Sequence, residues 1–181
     1  LSDLDLDAWV ANIGIHQPNR VWINQGGAQG GTPGTYADSG QILLGIYRQS
    51  QDVALGDLDG DGDLDAYVAN DDNDPNRLWI NQGGAQGGTP GTYATGQALG
   101  NSRSEGVALG DLDGDGDLDA WVANLNQPNR VWLNDGLGNF IDSGQALGNS
   151  WSEGVALGDL DGDGDLDAYV ANSQLQSNRV W

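Results

Sequence analysis

The sequence Val-Ala-Leu-Gly-Asp-Leu-Asp-Gly-Asp-Gly-Asp-Leu-Asp-Ala occupies residues 53–66 and recurs unchanged at residues 107–120 and 155–168. The copies are spaced by 54 and then by 48 residues, and a shortened copy opens the chain, where residues 3–12 align with residues 61–70. A period of this length is typical of repeat architectures in which each unit packs against its neighbours. The chain is therefore expected to fold as a row of similar units.

Each unit has the periodicity of β-strands. In the second unit, residues 53–56, 64–69 and 77–80 form short alternating runs that are rich in β-branched and aromatic residues and are bounded by Gly, Asn, Asp or Pro. A weaker run follows at residues 92–99, after a glycine-rich turn that occurs in two lengths. Four antiparallel strands in about 50 residues predict an all-β fold of β-propeller blades.

The strand pattern divides the chain into four parts of one repeat domain. We expect a partial blade with its second to fourth strands plus a connecting loop at 1–52, full blades at 53–106 and 107–154, and a partial blade with its first to third strands at 155–181. Closed propellers use four to eight blades, so we expect further blades from a longer parent chain or from self-association. A first residue of Leu and the absence of Met also predict a processed chain or a window of a longer one.

The composition excludes several functional classes. The 181 residues carry 27 acidic side chains against six arginines, which gives a formal charge of -21 at pH 7. Such a charge repels phosphate backbones and acidic membrane surfaces, so binding of nucleic acid is not expected. No apolar run is long enough to span a membrane. The absence of Cys and the presence of a single His leave no ligand set for zinc, haem or an iron-sulfur cluster.

The acidic segment between the first and second strands predicts a site for a hard cation. Its carboxylates lie at positions 1, 3, 5, 7 and 9 of a nine-residue loop, and glycines at positions 4 and 6 let the backbone curl so that the carboxylates converge. The predicted metal residues of the three complete loops are Asp57, Asp59, Asp61, Asp63, Asp65, Asp111, Asp113, Asp115, Asp117, Asp119, Asp159, Asp161, Asp163, Asp165 and Asp167. Asp3 and Asp7 occupy positions 5 and 9 of a possible partial fourth site.

Calcium is the ion that this donor set favours. Ca²⁺ takes six to eight oxygens in flexible geometry, which four carboxylates, the carbonyl of position 7 and a water molecule supply. Mg²⁺ is the weaker candidate because it resists dehydration and demands octahedral geometry. An EF-hand is excluded because position 12 is Val68 instead of Glu and because strands flank the loop. The alternative that the loops are only solvated acidic turns is disfavoured by the three intact copies.

At this point the chain resembles a known family. The loop Asp-x-Asp-x-Asp-Gly-x-x-Asp, set between two strands and repeated about every 50 residues, is similar to the FG-GAP or VCBS repeats of integrin α-subunit propellers and their bacterial extracellular relatives. The resemblance implies Ca²⁺ in the loop of each blade and a location outside the cell or at its surface. The Phe-Gly and Gly-Ala-Pro tripeptides of the family are missing, since residues 68–70 read Val-Ala-Asn. This departure favours the bacterial branch.

The other recurrent residues are interpreted as packing residues. Each repeated segment is followed by an Asn-Arg-Val/Leu-Trp box at residues 19–22, 76–79, 129–132 and 178–181, whose Trp we expect to pack between neighbouring blades. The aromatic residue of the second strand is expected in the core or between blades; it is Trp9, Tyr67, Trp121 or Tyr169. His16 is the lone histidine, and no set of catalytic partners can be assembled around it.

Recognition is predicted at the face opposite the acidic loops, where the connecting loops differ from unit to unit. Candidate ligand-binding residues there are Tyr47, Arg48, Arg103 and Trp151. The leading hypothesis is a Ca²⁺-stabilised extracellular scaffold without catalysis of its own, which binds a glycan or protein in adhesion. The alternatives are part of a polysaccharide lyase or hydrolase, and a purely structural stalk or fibre segment.

Overall fold

The computed structural model describes residues 6–14, 17–43, 49–83, 86–89 and 91–181. This part of the chain is built from β-strands and one short 3₁₀ helix at Gly27–Gln29. The strands are β1 (Ala8–Val10), β2 (Arg20–Asn24), β3 (Tyr36–Asp38), β4 (Ser50–Gly56), β5 (Asp65–Asn70), β6 (Asn76–Asn81), β7 (Tyr93–Leu99), β8 (Ser104–Gly110), β9 (Asp119–Asn124), β10 (Arg130–Asn134), β11 (Phe140–Asp142), β12 (Ser152–Gly158), β13 (Asp167–Asn172) and β14 (Arg179–Val180).

The strands form four antiparallel sheets, one for each repeat unit. Their orders are β1-β2-β3, β4-β5-β6-β7, β8-β9-β10-β11 and β12-β13-β14. Each strand pairs with its sequence neighbour, as in an up-and-down blade. The predicted all-β fold of four-stranded blades is confirmed, with three strands in the first and last sheets. The described residues contain no helix with the length and hydropathy needed to cross a membrane.

The sheets stack on one another through apolar faces. The second strand of each central sheet has the sequence Asp-Ala-aromatic-Val-Ala-Asn, and all six residues of β5 and of β9 are buried. Tyr67 and Ala69 of β5 belong to the core shared with the third sheet, whereas Ala66 and Val68 belong to the core shared with the first sheet. Alternation along one strand therefore serves two interfaces, which is why a single unit cannot bury its apolar residues alone.

The largest cluster of buried apolar residues in the described part of the chain lies between the second and third sheets. Phe140 of β11 meets the edge of the Tyr67 ring with centroids 5.9 Å apart and an interplanar angle of 72°. Both side chains are within 2% of complete burial. Burying a phenylalanine side chain contributes about 1.5–3 kcal/mol, so this contact is a main source of cohesion between the two sheets.

The aromatic residues of the repeats are buried where a neighbouring sheet covers them. Trp79 of the Asn-Arg-Val/Leu-Trp box packs in the core between the first and second sheets, and Trp132 packs against the core between the second and third. The predicted packing role is confirmed for these two residues. Trp22 is 36% exposed, and Tyr169 of the second-strand position is 44% exposed. The prediction of burial is wrong for Tyr169 because none of the described sheets covers its face.

A repeated glutamine ties the outer strands of neighbouring sheets together. The Gln41 side chain accepts a hydrogen bond from the Tyr93 N–H (2.8 Å) and donates one to the Gly91 carbonyl (2.5 Å). Gln97 holds both backbone groups of Phe140 in the same way, each at 2.8 Å. We call this contact the glutamine clamp. The clamp holds the first residue of the outer strand in the following sheet, which is Tyr93 in β7 and Phe140 in β11.

The glutamine clamp predicts a stability difference between two equivalent residues. Gln97→Ala removes two hydrogen bonds between sheets and should lower the free energy of unfolding by about 1–2 kcal/mol. Gln145→Ala is the matched control, because Gln145 occupies the same repeat position and its side chain is exposed. Urea denaturation of both variants measures the difference. Equal destabilisation by the two substitutions would contradict the role given to the clamp.

Candidate metal centre

The acidic loop between β4 and β5 curls back on itself around Asp57. The carboxylate of Asp57 accepts hydrogen bonds from the N–H groups of Gly60 (2.8 Å), Asp61 (3.1 Å) and Gly62 (2.9 Å). Gly60 and Gly62 have φ angles of 77° and 92°, in the region that only glycine adopts without strain. The glycines at positions 4 and 6 of the other two loops also have positive φ. The predicted curling of the loop is confirmed.

Each complete loop brings three carboxylates together. In every group, one oxygen from each residue lies within 4.8 Å of the others. The groups are Asp57, Asp59 and Asp61, then Asp111, Asp113 and Asp115, and finally Asp159, Asp161 and Asp167. The first two groups use positions 1, 3 and 5, and the third uses positions 1, 3 and 9. The residues at position 7, Asp63, Asp117 and Asp165, lie outside these groups. Asp163, at position 5 of the third loop, also lies outside its group.

The carboxylate at position 9 is engaged by the backbone of its own unit. Asp65 is fully buried and accepts hydrogen bonds from the N–H of Leu58 (2.9 Å) and the N–H of Asn81 at the end of β6 (2.7 Å). Asp119 makes the corresponding pair of bonds with Leu112 and Asn134. Position 9 therefore fastens the start of the loop to the end of the third strand.

The first unit keeps part of this arrangement. Asp7 accepts a hydrogen bond of 2.8 Å from the N–H of Asn24, which ends β2 as Asn81 ends β6. Asp3, the other residue of the predicted partial site, lies outside the described residues. The structure thus assigns Asp7 the same backbone contact that position 9 makes in the complete units.

Two carboxylate oxygens of the second unit's loop are buried without a hydrogen-bond partner among the described residues. They are Oδ1 of Asp59 and Oδ2 of Asp63. The other oxygen of Asp59 accepts a hydrogen bond from the Gln86 side chain. A buried carboxylate oxygen without a donor is costly, and a cation removes that cost. The loop therefore fits a hard cation in donor chemistry as well as in the convergence of its charges.

Burial and mutual repulsion make ionisation of the loop harder in the absence of metal. Burial and the neighbouring Asp61 raise the pKa of Asp59. Burial raises the pKa of Asp65 from 3.8 to about 6, although its two backbone hydrogen bonds act in the opposite direction. The arginines that form ion pairs in the described part of the chain do so with Asp38, Asp71 and Asp142, none of which lies in an acidic loop.

Two of the four candidate ligand-binding residues, Arg103 and Trp151, precede β8 and β12 and so lie at the strand ends opposite the acidic loops. Arg103, which directly precedes β8 of the third sheet, pairs at 3.0 Å with Asp71, which directly follows β5 of the second sheet, so its guanidinium links these two sheets. Trp151 is partly buried, forms a bridge with Leu125, and donates its N–H to the Gln176 side chain at 2.8 Å. Tyr47 and Arg48, together with the lone histidine, lie outside the described residues.

A buried polar network beneath this face was not anticipated from the sequence. In the second unit Ser50 donates to the Asn70 side chain at 2.9 Å, and Asn76 accepts the Asn70 N–H at 2.9 Å. Asn19 of the first unit donates to the Ser50 hydroxyl at 3.0 Å, which extends the network between sheets. The available signal was the recurrence of Asn at the end of every second strand and at the start of every box.

Substitutions can separate the residue that fastens the backbone of the loop, Asp65, from a residue that is expected to bind metal, Asp59. Asp65→Ala leaves two buried N–H groups without an acceptor and should lower the free energy of unfolding by about 2 kcal/mol, with or without metal. Asp59→Ala removes a repelled carboxylate and should lower stability only when Ca²⁺ is present. Chemical denaturation in metal-free and Ca²⁺-containing buffers checks both. Loss of stability in Asp59→Ala without metal would contradict the assignment.

The raised pKa of Asp65 predicts a pH dependence for the metal-free chain. The folded state holds its proton more tightly than the unfolded state, whose carboxyl has its ordinary pKa of 3.8. The free energy of unfolding should therefore fall as the pH rises from about 4 to about 6, and this contribution should then level off. Asp59 and Asp119 act in the same sense, whereas Asp71 acts in the opposite sense because Arg103 lowers its pKa against the effect of burial. Denaturation at fixed ionic strength measures the slope, and a rise in stability over this range would contradict it.

Comparison with known proteins agrees with the repeated geometry. A family model described as an FG-GAP-like repeat matches residues 2–68, 57–122 and 111–170. No curated protein matches the chain. The three matches overlap at the acidic loops, so each spans from one loop to the next and together they cover nearly all of the sequence. The chain belongs to the FG-GAP-like repeat family.

Proposed function

We propose that this chain is a Ca²⁺-stabilised extracellular scaffold that presents a ligand-binding face and has no catalysis of its own. The convergence of three carboxylates in each complete loop carries the proposal. At a net charge of -21 with no lysine, the chain has few positive charges of its own to balance these groups. A bound dication would remove the repulsion where it is strongest.

Calcium suits the loops better than magnesium. The groups use positions 1, 3 and 5 in two loops and positions 1, 3 and 9 in the third, so the arrangement of donors is irregular. Ca²⁺ accepts such variation because its coordination is flexible, whereas Mg²⁺ requires a regular octahedron. In this proposal the residues of the three groups hold the ion, and its positive charge supplies the compensation that the protein lacks.

Metal binding is expected to strengthen contacts between units as well as within one. The acidic loop of the second unit touches the third unit, where the Asn134 side chain donates to the Leu58 carbonyl at 2.9 Å. The backbone N–H of Asn134 also donates a hydrogen bond to the Asp119 carboxylate at 2.8 Å. An ion that orders one loop therefore also orders the surface on which the next unit packs.

The proposal includes a location outside the cell, where calcium is abundant enough to fill weak sites. Calcium sites of extracellular modules bind in the range of about 10⁻⁴ to 10⁻³ M, which matches calcium levels outside cells. At such affinities the loops would be largely empty at the calcium concentration of the cytosol. The FG-GAP-like repeats of the chain are compatible with this location.

The ligand is proposed to bind at the face opposite the metal loops. There the loops connect one sheet to the next and differ in sequence, as in the replacement of Arg103 by Trp151 at the same repeat position. Loops held on a rigid repeated scaffold are common sites of recognition. Trp151 is only partly buried, so part of its ring is open to a glycan or protein surface.

The metal claim is tested by thermal melting of the intact chain. Binding to the folded state contributes about 2.7 kcal/mol per site at a 100-fold excess over Kd, so three independent sites contribute about 8 kcal/mol. EDTA should lower the Tm strongly, and excess Ca²⁺ should restore it more completely than excess Mg²⁺.

A pair of substitutions in the third unit controls for charge. Asp113→Asn removes one member of an acidic group and should reduce the calcium-dependent rise in Tm by about a third. Asp142→Asn removes the same charge from an exposed residue whose ion pair with Arg130 spans 3.7 Å, and it should leave that rise unchanged. A melting curve that is the same in EDTA and in Ca²⁺ would overturn the proposal.

A further inference from the structure

The hairpin between β10 and β11 in the third unit lies over the acidic loop of the second unit. At its start, the Asn134 side chain donates a hydrogen bond to the Leu58 carbonyl at 2.9 Å. Further along, the Gly136 carbonyl oxygen approaches position 4 of the loop so closely that a Cβ at Gly60 would lie 3.1 Å from it. We call residues 134–138 the covering hairpin.

The covering hairpin also reaches the carboxylate at position 3 of the loop. A Cβ at Gly138 would lie 3.5 Å from the Cβ of Asp59. Oδ1 of Asp59 is buried and has no hydrogen-bond donor among the described residues. The corresponding oxygens of Asp113 and Asp161 each accept the N–H of position 5, at 3.3 Å and 3.1 Å. The second unit therefore differs from the other two complete units in holding a position-3 oxygen that is shielded from water and free of donors.

Position 4 of the loops provides an internal comparison for the effect of the cover. Gly60, Gly114 and Gly162 have φ angles of 77°, 82° and 85°, so their backbone conformations are the same. A Cβ at Gly114 or Gly162 would meet nothing within 4 Å, in contrast to one at Gly60. The three carboxylates of the second unit's group are all half-buried, whereas two of the three in each other group are exposed.

The cover changes the surroundings that a cation meets in the second loop. Folding has already removed water from Oδ1 of Asp59, so an ion gains this ligand without displacing water from it. Attraction between the ion and the carboxylates is also stronger where water is excluded. Mg²⁺ gives up its own waters reluctantly, whereas Ca²⁺ accepts more protein oxygens in flexible geometry. A covered loop should therefore bind Ca²⁺ more tightly and discriminate more strongly against Mg²⁺.

We infer that the covering hairpin sets the affinity and the ion selectivity of the second unit's loop, which holds Ca²⁺ with fewer bound waters than the third unit's loop does in the chain of residues 1–181. Asn134, Gly136 and Gly138 act as positioning residues, because they place the hairpin backbone over Asp59. The inference rests on the proposed binding of calcium. It adds that one repeat unit controls the metal site of the unit before it.

Two parent variants isolate single sites. Asp113→Asn combined with Asp161→Asn leaves the group of the second loop intact, and Asp59→Asn combined with Asp161→Asn leaves that of the third loop intact. We call them the second-loop chain and the third-loop chain. Calorimetric titration with Ca²⁺ and with Mg²⁺ measures both affinities. The second-loop chain should bind Ca²⁺ about tenfold more tightly and should have the larger ratio of Ca²⁺ to Mg²⁺ affinity.

A matched pair of glycine substitutions tests the cover itself. Gly60→Ala in the second-loop chain and Gly114→Ala in the third-loop chain introduce the same strain, because both place alanine at a positive φ. Only Gly60→Ala also pushes a methyl group against the Gly136 carbonyl. Gly60→Ala should therefore weaken Ca²⁺ binding about tenfold more than Gly114→Ala does, and it should lower the ratio of Ca²⁺ to Mg²⁺ affinity to that of the third loop.

The number of waters on the bound ion separates a cover over the metal from a purely structural hairpin. Eu³⁺ replaces Ca²⁺ in sites built from oxygen ligands, and its luminescence lifetimes in H₂O and D₂O give the number of bound waters. The second-loop chain should hold at least one fewer water than the third-loop chain, and Gly60→Ala should restore that water. This comparison of the two parents remains decisive if Gly60→Ala does not fold.

Equal water counts and equal affinities in the two parent chains would overturn the inference. Equal losses of affinity from the two glycine substitutions would also overturn it. Both results would leave the calcium-dependent rise in Tm of the unmodified chain in place, so the proposed function would stand. An absence of Ca²⁺ and Eu³⁺ binding in both parents, together with an unmodified chain that melts alike in EDTA and in Ca²⁺, would contradict the proposed function and this inference with it.

Discussion

Repulsion among carboxylates is the constraint on which the rest of the structure depends. Each complete loop places five aspartates in nine residues, and each connects the first strand of a sheet to the second. Backbone hydrogen bonds offset part of this repulsion. Asp57 accepts hydrogen bonds from three N–H groups of its own loop, and Asp65 accepts one from the loop and one from the end of β6. Positions 1 and 9 thereby shape the loop, while Oδ1 of Asp59 at position 3 has no hydrogen-bond donor among the described residues.

The same loops lie at the boundary between units, which couples electrostatics to packing. Each central sheet buries both faces, so its stability depends on the sheets to either side. Asn134 connects the two kinds of interaction, because its N–H bonds to Asp119 while its side chain reaches Leu58 of the preceding loop. Where no described sheet covers a face, the repeat residues are exposed, as Tyr169 shows.

Strand order and the position of the acidic loops were predictable because both follow from local patterns that recur three times. Alternation and turn residues determine β5 and β6, and the glycines at positions 4 and 6 determine the shape of the loop. Which aspartates hold the backbone and which converge in an acidic group was not predictable. The backbone contact of Asp65 depends on Asn81, which is sixteen residues away in the sequence.

The long-range polar contacts were missed for a related reason. The glutamine clamp joins Gln97 to Phe140 across 43 residues, and a repeated Ser/Thr-Gly-Gln sequence does not reveal which backbone groups it holds. Burial of the recurrent tryptophans was predicted from their repetition alone. The prediction is correct for Trp79, which the first sheet covers, and wrong for Trp22, which no described sheet covers in the same way.

The central claim is that the convergent carboxylates of the acidic loops hold calcium. The most direct measurement is a crystal structure of the chain grown in Ca²⁺, with an anomalous difference map that locates the ions. The account predicts a peak within each of the three acidic groups, with oxygen ligands at about 2.3–2.6 Å, the Ca²⁺–oxygen range. Well-ordered loops without a peak in any group would contradict it.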